Sequence, residues 1–208
     1  MRGILQHHLQ GLKAAWDDGL RQEVFRSAIA FCVLAVIAFG AALALPDLRT
    51  QLMSWAVEAV SGTGAIREDG SISALRIFSN NVEACVFTMA YGLVPFLQLP
   101  ALALGVNAML LGVLAACYAA EGSSLLIYLA ALFPHGLLEF PALILSFAVG
   151  LYVCGQATRR CRRDETALRL WDRLLLISRT LFVLLPVLAA ASLLEAYVTP
   201  AFVSLLIS

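Results

Sequence analysis

The chain has 208 residues, of which 61% are hydrophobic and only 13% charged, with a mean hydropathy of +0.87 and a formal net charge of zero. Soluble domains carry about 25% charged residues, so a water-soluble globular protein is excluded. The balanced charge gives no support to a nucleic-acid partner.

No Lys or Arg falls between Arg76 and Arg159. A hydrocarbon core of about 30 Å takes about 20 apolar residues per helix, which leaves room for about five spans. Lipid cannot satisfy backbone N–H and C=O groups, so spans are helices or closed barrels, and a barrel needs period-two alternation that runs such as Leu181–Ala191 lack. The expected fold class is all-α, a polytopic transmembrane helix bundle.

Residues 1–26 form one expected unit, a cytoplasmic amphipathic helix. Leu5, Leu9, Leu12, Ala15, Trp16 and Leu20 share a face, with Lys13, Asp17 and Arg21 off it. It lies along the membrane surface or packs on the protein's own cytoplasmic side. Residues 27–200 form the transmembrane domain. The first span is 27–45; Ala42-Leu43-Ala44 mimics a signal cleavage site, but Asp17, Asp18 and Glu23 are unlike a short basic leader, so the span is expected to be retained. A short helix then recurs through Leu48, Leu52, Trp55 and Ala59, and Ser61-Gly62-Thr63-Gly64 ends it. Further spans are expected at 78–97, 100–120 and 180–199. The 124–155 segment is too long for one straight crossing and is expected to break at Pro134-His135-Gly136 (134–136). Residues 201–208 are a short apolar tail.

Basic residues set the orientation. Four lie in 1–26 and seven in 156–179, against three in 46–77. The first two segments therefore face the cytoplasm, which places the N-terminus inside and the C-terminus outside.

Small residues form two stripes at helical spacing: Ala101, Gly105, Ala108, Gly112, Ala115 and Ala119 in the third span, and Ala142, Ser146 and Gly150, continuing from His135 and Glu139, in the fourth. Such stripes let helices approach closely in lipid. The segments Leu99-Pro100-Ala101-Leu102 and Phe140-Pro141-Ala142-Leu143 form a weak echo, running in opposite directions across the membrane as an inverted repeat would.

Polar residues inside spans are costly and so mark candidate functional positions. They are Asn80, Asn81, Glu83, Asn107, His135, Glu139 and Glu195, most of them in the outer half under this topology. His135 and Glu139 are helical neighbours at i, i+4. Such a pair could relay a proton, bind a cation, or hold the broken helix together. A metal would need a third ligand from Glu83 or Glu195. The five cysteines form no CxxC pair and there is no GxSxG, so no cofactor, metal site or catalytic residue is assigned and no enzyme is expected.

Asn80-Asn81 opening a span, Asn107 in a Gly/Ala-rich span, the block Pro134-His135-Gly136…Glu139-Phe140-Pro141-Ala142 and the ending Glu195-Ala196-Tyr197-Val198-Thr199-Pro200 together resemble the stage II sporulation protein M family. The resemblance spans roughly residues 25–200. It implies a five-span protein of the bacterial cytoplasmic membrane that anchors a cell-envelope complex, as in engulfment during sporulation, with protein partners that include peptidoglycan hydrolases. Membrane lipids are further partners, and the stripes allow a homo-oligomer. The alternative function is a small transporter or permease component using the intramembrane polar site.

Overall fold

The computed structural model describes residues 11–61, 73–122 and 124–201, apart from the side chains of 56, 59–61, 131 and 135. The described residues are helical with short connections and contain no strand. The helices are α1 (Gly11–Ala44), α2 (Pro46–Ser61), α3 (Ala74–Tyr91), α4 (Leu99–Ala120), α5 (Leu125–Cys161) and α6 (Leu170–Ala201). Among the described residues, four segments are long and apolar enough to cross a membrane: α1, α4, residues Gly136–Cys161 of α5, and α6.

Several boundaries differ from the sequence reading, each for a local reason. Helix α1 is continuous from Gly11 to Ala44, where a separate surface helix ending at 26 is expected. The break takes the form of a kink at Trp16–Leu20, where Gly19 adopts φ +123°, a conformation that only glycine takes without strain. Residues 1–10 lie outside the described part. Helix α2 starts at Pro46, whose missing N–H costs nothing in a first turn, and is described as far as Ser61; the predicted stop at Gly62-Thr63-Gly64 lies outside the described residues.

Helix α3 stops at Tyr91 rather than continuing to 97. Pro95 disfavours helical backbone at Val94, and the chain turns through 92–98. Helix α5 runs unbroken for 37 residues, where a break at 134–136 is expected. A proline removes one backbone donor and can be absorbed without ending a helix when its neighbours hold the remaining bonds. At about 1.5 Å per residue α5 is about 55 Å long, well beyond a bilayer core. Helix α6 keeps Pro186 inside and widens to a π-turn at Leu194–Val198.

The chain divides into two compact units. The first comprises Met1–Ala30, Glu83–Leu104 and Pro141–Pro186. Its centre is the buried face of α5, including Phe147, Ala148, Val149 and Val153, together with Leu176, Thr180 and Leu184 of α6. Gly150 is hemmed in by the Thr88 carbonyl of α3 and the Pro100 ring of α4, and a Cβ at Gly92 would overlap the Gly150 backbone. Backbone meets backbone here, as small-residue packing in lipid requires. Ser146 is fully buried and spends its hydroxyl on the Ala142 carbonyl of its own helix, 2.9 Å away. Thr180 in this unit does the same with Leu176 at 2.9 Å, and Ser192 in the other does so with Leu188 at 2.7 Å.

The second unit comprises Phe31–Val82, Gly105–Phe140 and Val187–Ser208. A Cβ at Gly112 would overlap the Ala35 carbonyl oxygen and crowd the Phe39 amide, so α4 lies directly against α1. Ala42, Val113, Ala116 and Cys117 form a buried cluster, covered by Phe39, Leu52, Met53 and Met109. The start of α5 is tied in by the Tyr128 hydroxyl, which donates to the Leu111 carbonyl at 3.0 Å, and by the tilted ring pairs Tyr118–Tyr128 and Phe31–Phe140. Gly105 departs from the predicted stripe: a Cβ there would meet nothing within 4 Å. The stripe is longer than the contact, and only its deeper members touch another helix.

This difference sets a direct test. Gly112→Ala and Gly150→Ala should each destabilise the protein in detergent by about 1–3 kcal/mol, because the Cβ meets backbone that cannot turn aside. Gly105→Ala should be neutral or stabilising by up to about 1 kcal/mol, from helix propensity alone. Thermal unfolding of the three purified variants measures both.

Candidate functional site

The polar site draws on three elements of the second unit. Helix α3 buries a face that recurs at Ile77, Cys85, Thr88 and Met89, and Asn81 falls on it, half-buried. Helix α5 brings Glu139, and α6 brings Glu195 on its π-turn. The Glu139 carboxylate interacts with the Asn81 amide and lies within electrostatic range of the Glu195 carboxylate. The Asn81 pairing is loose: its Nδ2 is enclosed, yet its approach falls short of a well-formed hydrogen bond.

The other predicted polar positions behave differently. Asn80 and Asn107 are half-buried, and each is engaged with a neighbour. Glu83 is exposed and belongs to the first unit, not the second. It sits two residues beyond Asn81, about 200° round the helix, which carries it off the buried face. His135 is helical, but its side chain lies outside the described part, so the predicted His135–Glu139 contact does too. Among the described residues no group of three His, Cys, Asp or Glu side chains converges as a metal site would need.

A second polar network, in the first unit, has no counterpart in the sequence reading. Asp18 Oδ2 accepts from the Tyr152 hydroxyl at 2.6 Å and from Gln156 Nε2 at 3.2 Å. Gln156 Oε1 in turn accepts the Leu168 amide at 3.1 Å. Asp18 immediately precedes the Gly19 kink, so α1, α5 and the connection before α6 are fastened at one residue. The partners are 134 and 138 positions apart along the chain, so no local spacing reveals them. The only sequence signal is an acid, a Tyr and a Gln at helical i, i+4 spacing near the ends of apolar runs.

Beyond this network, the 162–169 connection folds on itself. Asp164 takes Arg159 Nε at 2.7 Å and both the amide and hydroxyl of Thr166, at 2.9 and 2.6 Å. These donors, Thr166 first and Arg159 next, hold the Asp164 carboxyl down to about 2. A depressed carboxylate contributes stability above its unfolded range and loses it only as pH falls through the lowered value, so this connection should keep its fold down to about pH 3.

Long apolar helices, an interior of close backbone contacts and a few polar residues engaged with one another define a multi-pass α-helical membrane protein. The sequence model of the stage II sporulation protein M family matches residues 27–200, and the chain belongs to that family. No curated protein and no solved structure matches it.

Two substitutions separate the networks. Tyr152→Phe removes one of two donors to Asp18 and should cost about 1 kcal/mol in thermal unfolding, since the Gln156 donor remains. Glu139→Gln keeps the shape and a polar group facing Asn81 and should be tolerated, whereas Glu139→Leu takes away the polar group nearest the enclosed Asn81 amide and should cost about 1 kcal/mol.

Proposed function

We propose that this protein is a non-enzymatic scaffold of the bacterial cytoplasmic membrane, crossing it five times with its N-terminus inside and its C-terminus outside. In this reading α3 is the crossing that falls short on apolarity: it is 18 residues long and carries Arg76, Asn80, Asn81 and Glu83. The odd number of crossings between residues 77 and 156 agrees with the basic residues at either end. The scaffold anchors a cell-envelope complex, and peptidoglycan hydrolases are the partners that family membership suggests. The observation that carries the reading is that Glu139 of α5 interacts with the Asn81 amide of α3 and lies within electrostatic range of Glu195 of α6, so that three helices bring polar groups to one place. Polar groups used this way fix how helices meet.

A transporter is the second reading, and one observation favours it. Glu139 and Glu195 are carboxylates within electrostatic range, and Glu195 sits on a π-turn, a distortion frequent at functional sites.

One reconstitution separates the readings. In vesicles loaded with a pH-sensitive dye, the scaffold passes no more protons or monovalent cations than empty vesicles, with wild type and Glu139→Gln alike. Flux that Glu139→Gln abolishes while thermal stability is kept would establish the transporter instead. Orientation is checked by labelling single cysteines in a background without the native five. Asp69→Cys should react from outside and Glu165→Cys only after the cytoplasmic side is opened; the reverse pattern would overturn the topology.

A further inference from the structure

Two connections of the first unit, 92–98 and 162–169, meet at one surface. The Phe96 amide donates to Thr158 Oγ1 at 2.9 Å, the Cys154 thiol approaches the Val94 carbonyl at 3.4 Å, and the Arg162 guanidinium lies 5.9 Å over the Phe96 ring. Among the described residues, the non-glycine positions with positive φ are Phe96 at 69°, Gln98 at 43° and Arg163 at 65°, all three in these connections. Backbone held in so sparsely populated a region clusters at functional sites.

The surface they form is both cationic and apolar. Arg159 is committed to Asp164, and Arg160 donates to the Glu165 carbonyl at 3.2 Å. Arg162, Arg163 and Arg169 are exposed, and among the described residues none of them is in an ion pair. Beside these cations Phe96 is 55% exposed and Leu97 62%, and α6 opens with Leu170 and Trp171, also exposed. Arg162, Arg163 and Arg169 lie between Cys161, where one apolar span ends, and Leu170, where the next begins. That position is the headgroup layer, where aromatic rings settle and guanidinium groups meet phosphates with two parallel hydrogen bonds.

We propose that this surface is a binding site for anionic phospholipid, with Arg162 and Arg163 on the headgroup phosphate and Phe96 and Leu97 against the upper acyl chain. A soluble acidic protein would not need exposed Phe, Leu and Trp at the depth of the span ends. Free phosphate would not need them at all. The Phe96 ring holds the Arg162 guanidinium at this surface, and Arg163 beside it is exposed.

The test uses the full chain reconstituted in vesicles, with spin-labelled phosphatidylglycerol and phosphatidylcholine as probes of the lipid at the protein surface. Wild type should prefer phosphatidylglycerol by about fivefold or more, falling as KCl is raised to about 0.5 M. Arg162→Gln combined with Arg163→Asn (asparagine tolerates the left-handed conformation) should bring the preference close to one. Phe96→Ala should lower it partly. Arg26→Gln, at a cation already paired with Glu23, should leave it unchanged. Both arginines are exposed, so thermal stability should stay at the wild-type value; if the double variant fails to assemble, the Phe96→Ala result and the salt dependence decide. Equal affinity for the two lipids in wild type, or full preference kept in the double variant, overturns the proposal. Loss of the preference in inorganic phosphate but not in KCl of equal ionic strength overturns it in favour of a free-phosphate site.

Discussion

Inside a bilayer no solvent is available to take a hydrogen bond, so every polar group that enters must bring its own partner. That constraint organises what the helices contain. The buried hydroxyls of Ser146, Thr180 and Ser192 bond back to their own helix, whereas the enclosed Ser27 hydroxyl makes no hydrogen bond among the described residues. Asn81 and Glu139 face each other. Tyr152 and Gln156 bring their donors to Asp18 at the end of the apolar run. With polar groups settled in this way, helices meet through shape, and shape in lipid means backbone against backbone at Gly92, Gly112 and Gly150.

The two kinds of contact have different roles. Glycine contacts set how closely helices approach. Polar pairs such as Asn81 with Glu139 have one satisfactory register, because displacement leaves an enclosed amide or a carboxylate facing hydrocarbon. Asp18 acts similarly at the kink of α1: the carboxylate is reachable by both Tyr152 and Gln156 only because Gly19 lets the chain turn just beyond it. A small number of side chains can therefore specify an arrangement that apolar packing alone leaves degenerate.

Much of the fold is legible in the sequence, because long apolar runs leave no alternative to helices. The end of α1 and the extent of α4 follow from run length, and α2 from the helical recurrence of Leu48, Leu52 and Trp55. Errors arise where composition and turn chemistry disagree. Gly92-Leu93-Val94-Pro95 is apolar enough to extend a span, but its glycine and proline end the helix first. Pro134 and Gly136 look like a break, yet one missing donor does not end a helix. Within the polar site, Asn81, Glu139 and Glu195 come together, while Glu83 is carried away by two residues of helical rotation. The Asp18 network is silent in the sequence, since nothing local marks partners more than 130 positions away.

The buried hydroxyls have one consequence for how such a chain can change over time. Ser146, Thr180 and Ser192 each satisfy themselves within their own helix, so none depends on a group belonging to a neighbour. Exchange among serine, alanine and cysteine at these three positions is therefore open to neutral drift. Gly112 and Gly150 have no such latitude, because the space a side chain would need is already filled by another helix's main chain and by Pro100. Variation among descendants of this sequence should accumulate at hydroxyls that look functional and spare glycines that look interchangeable.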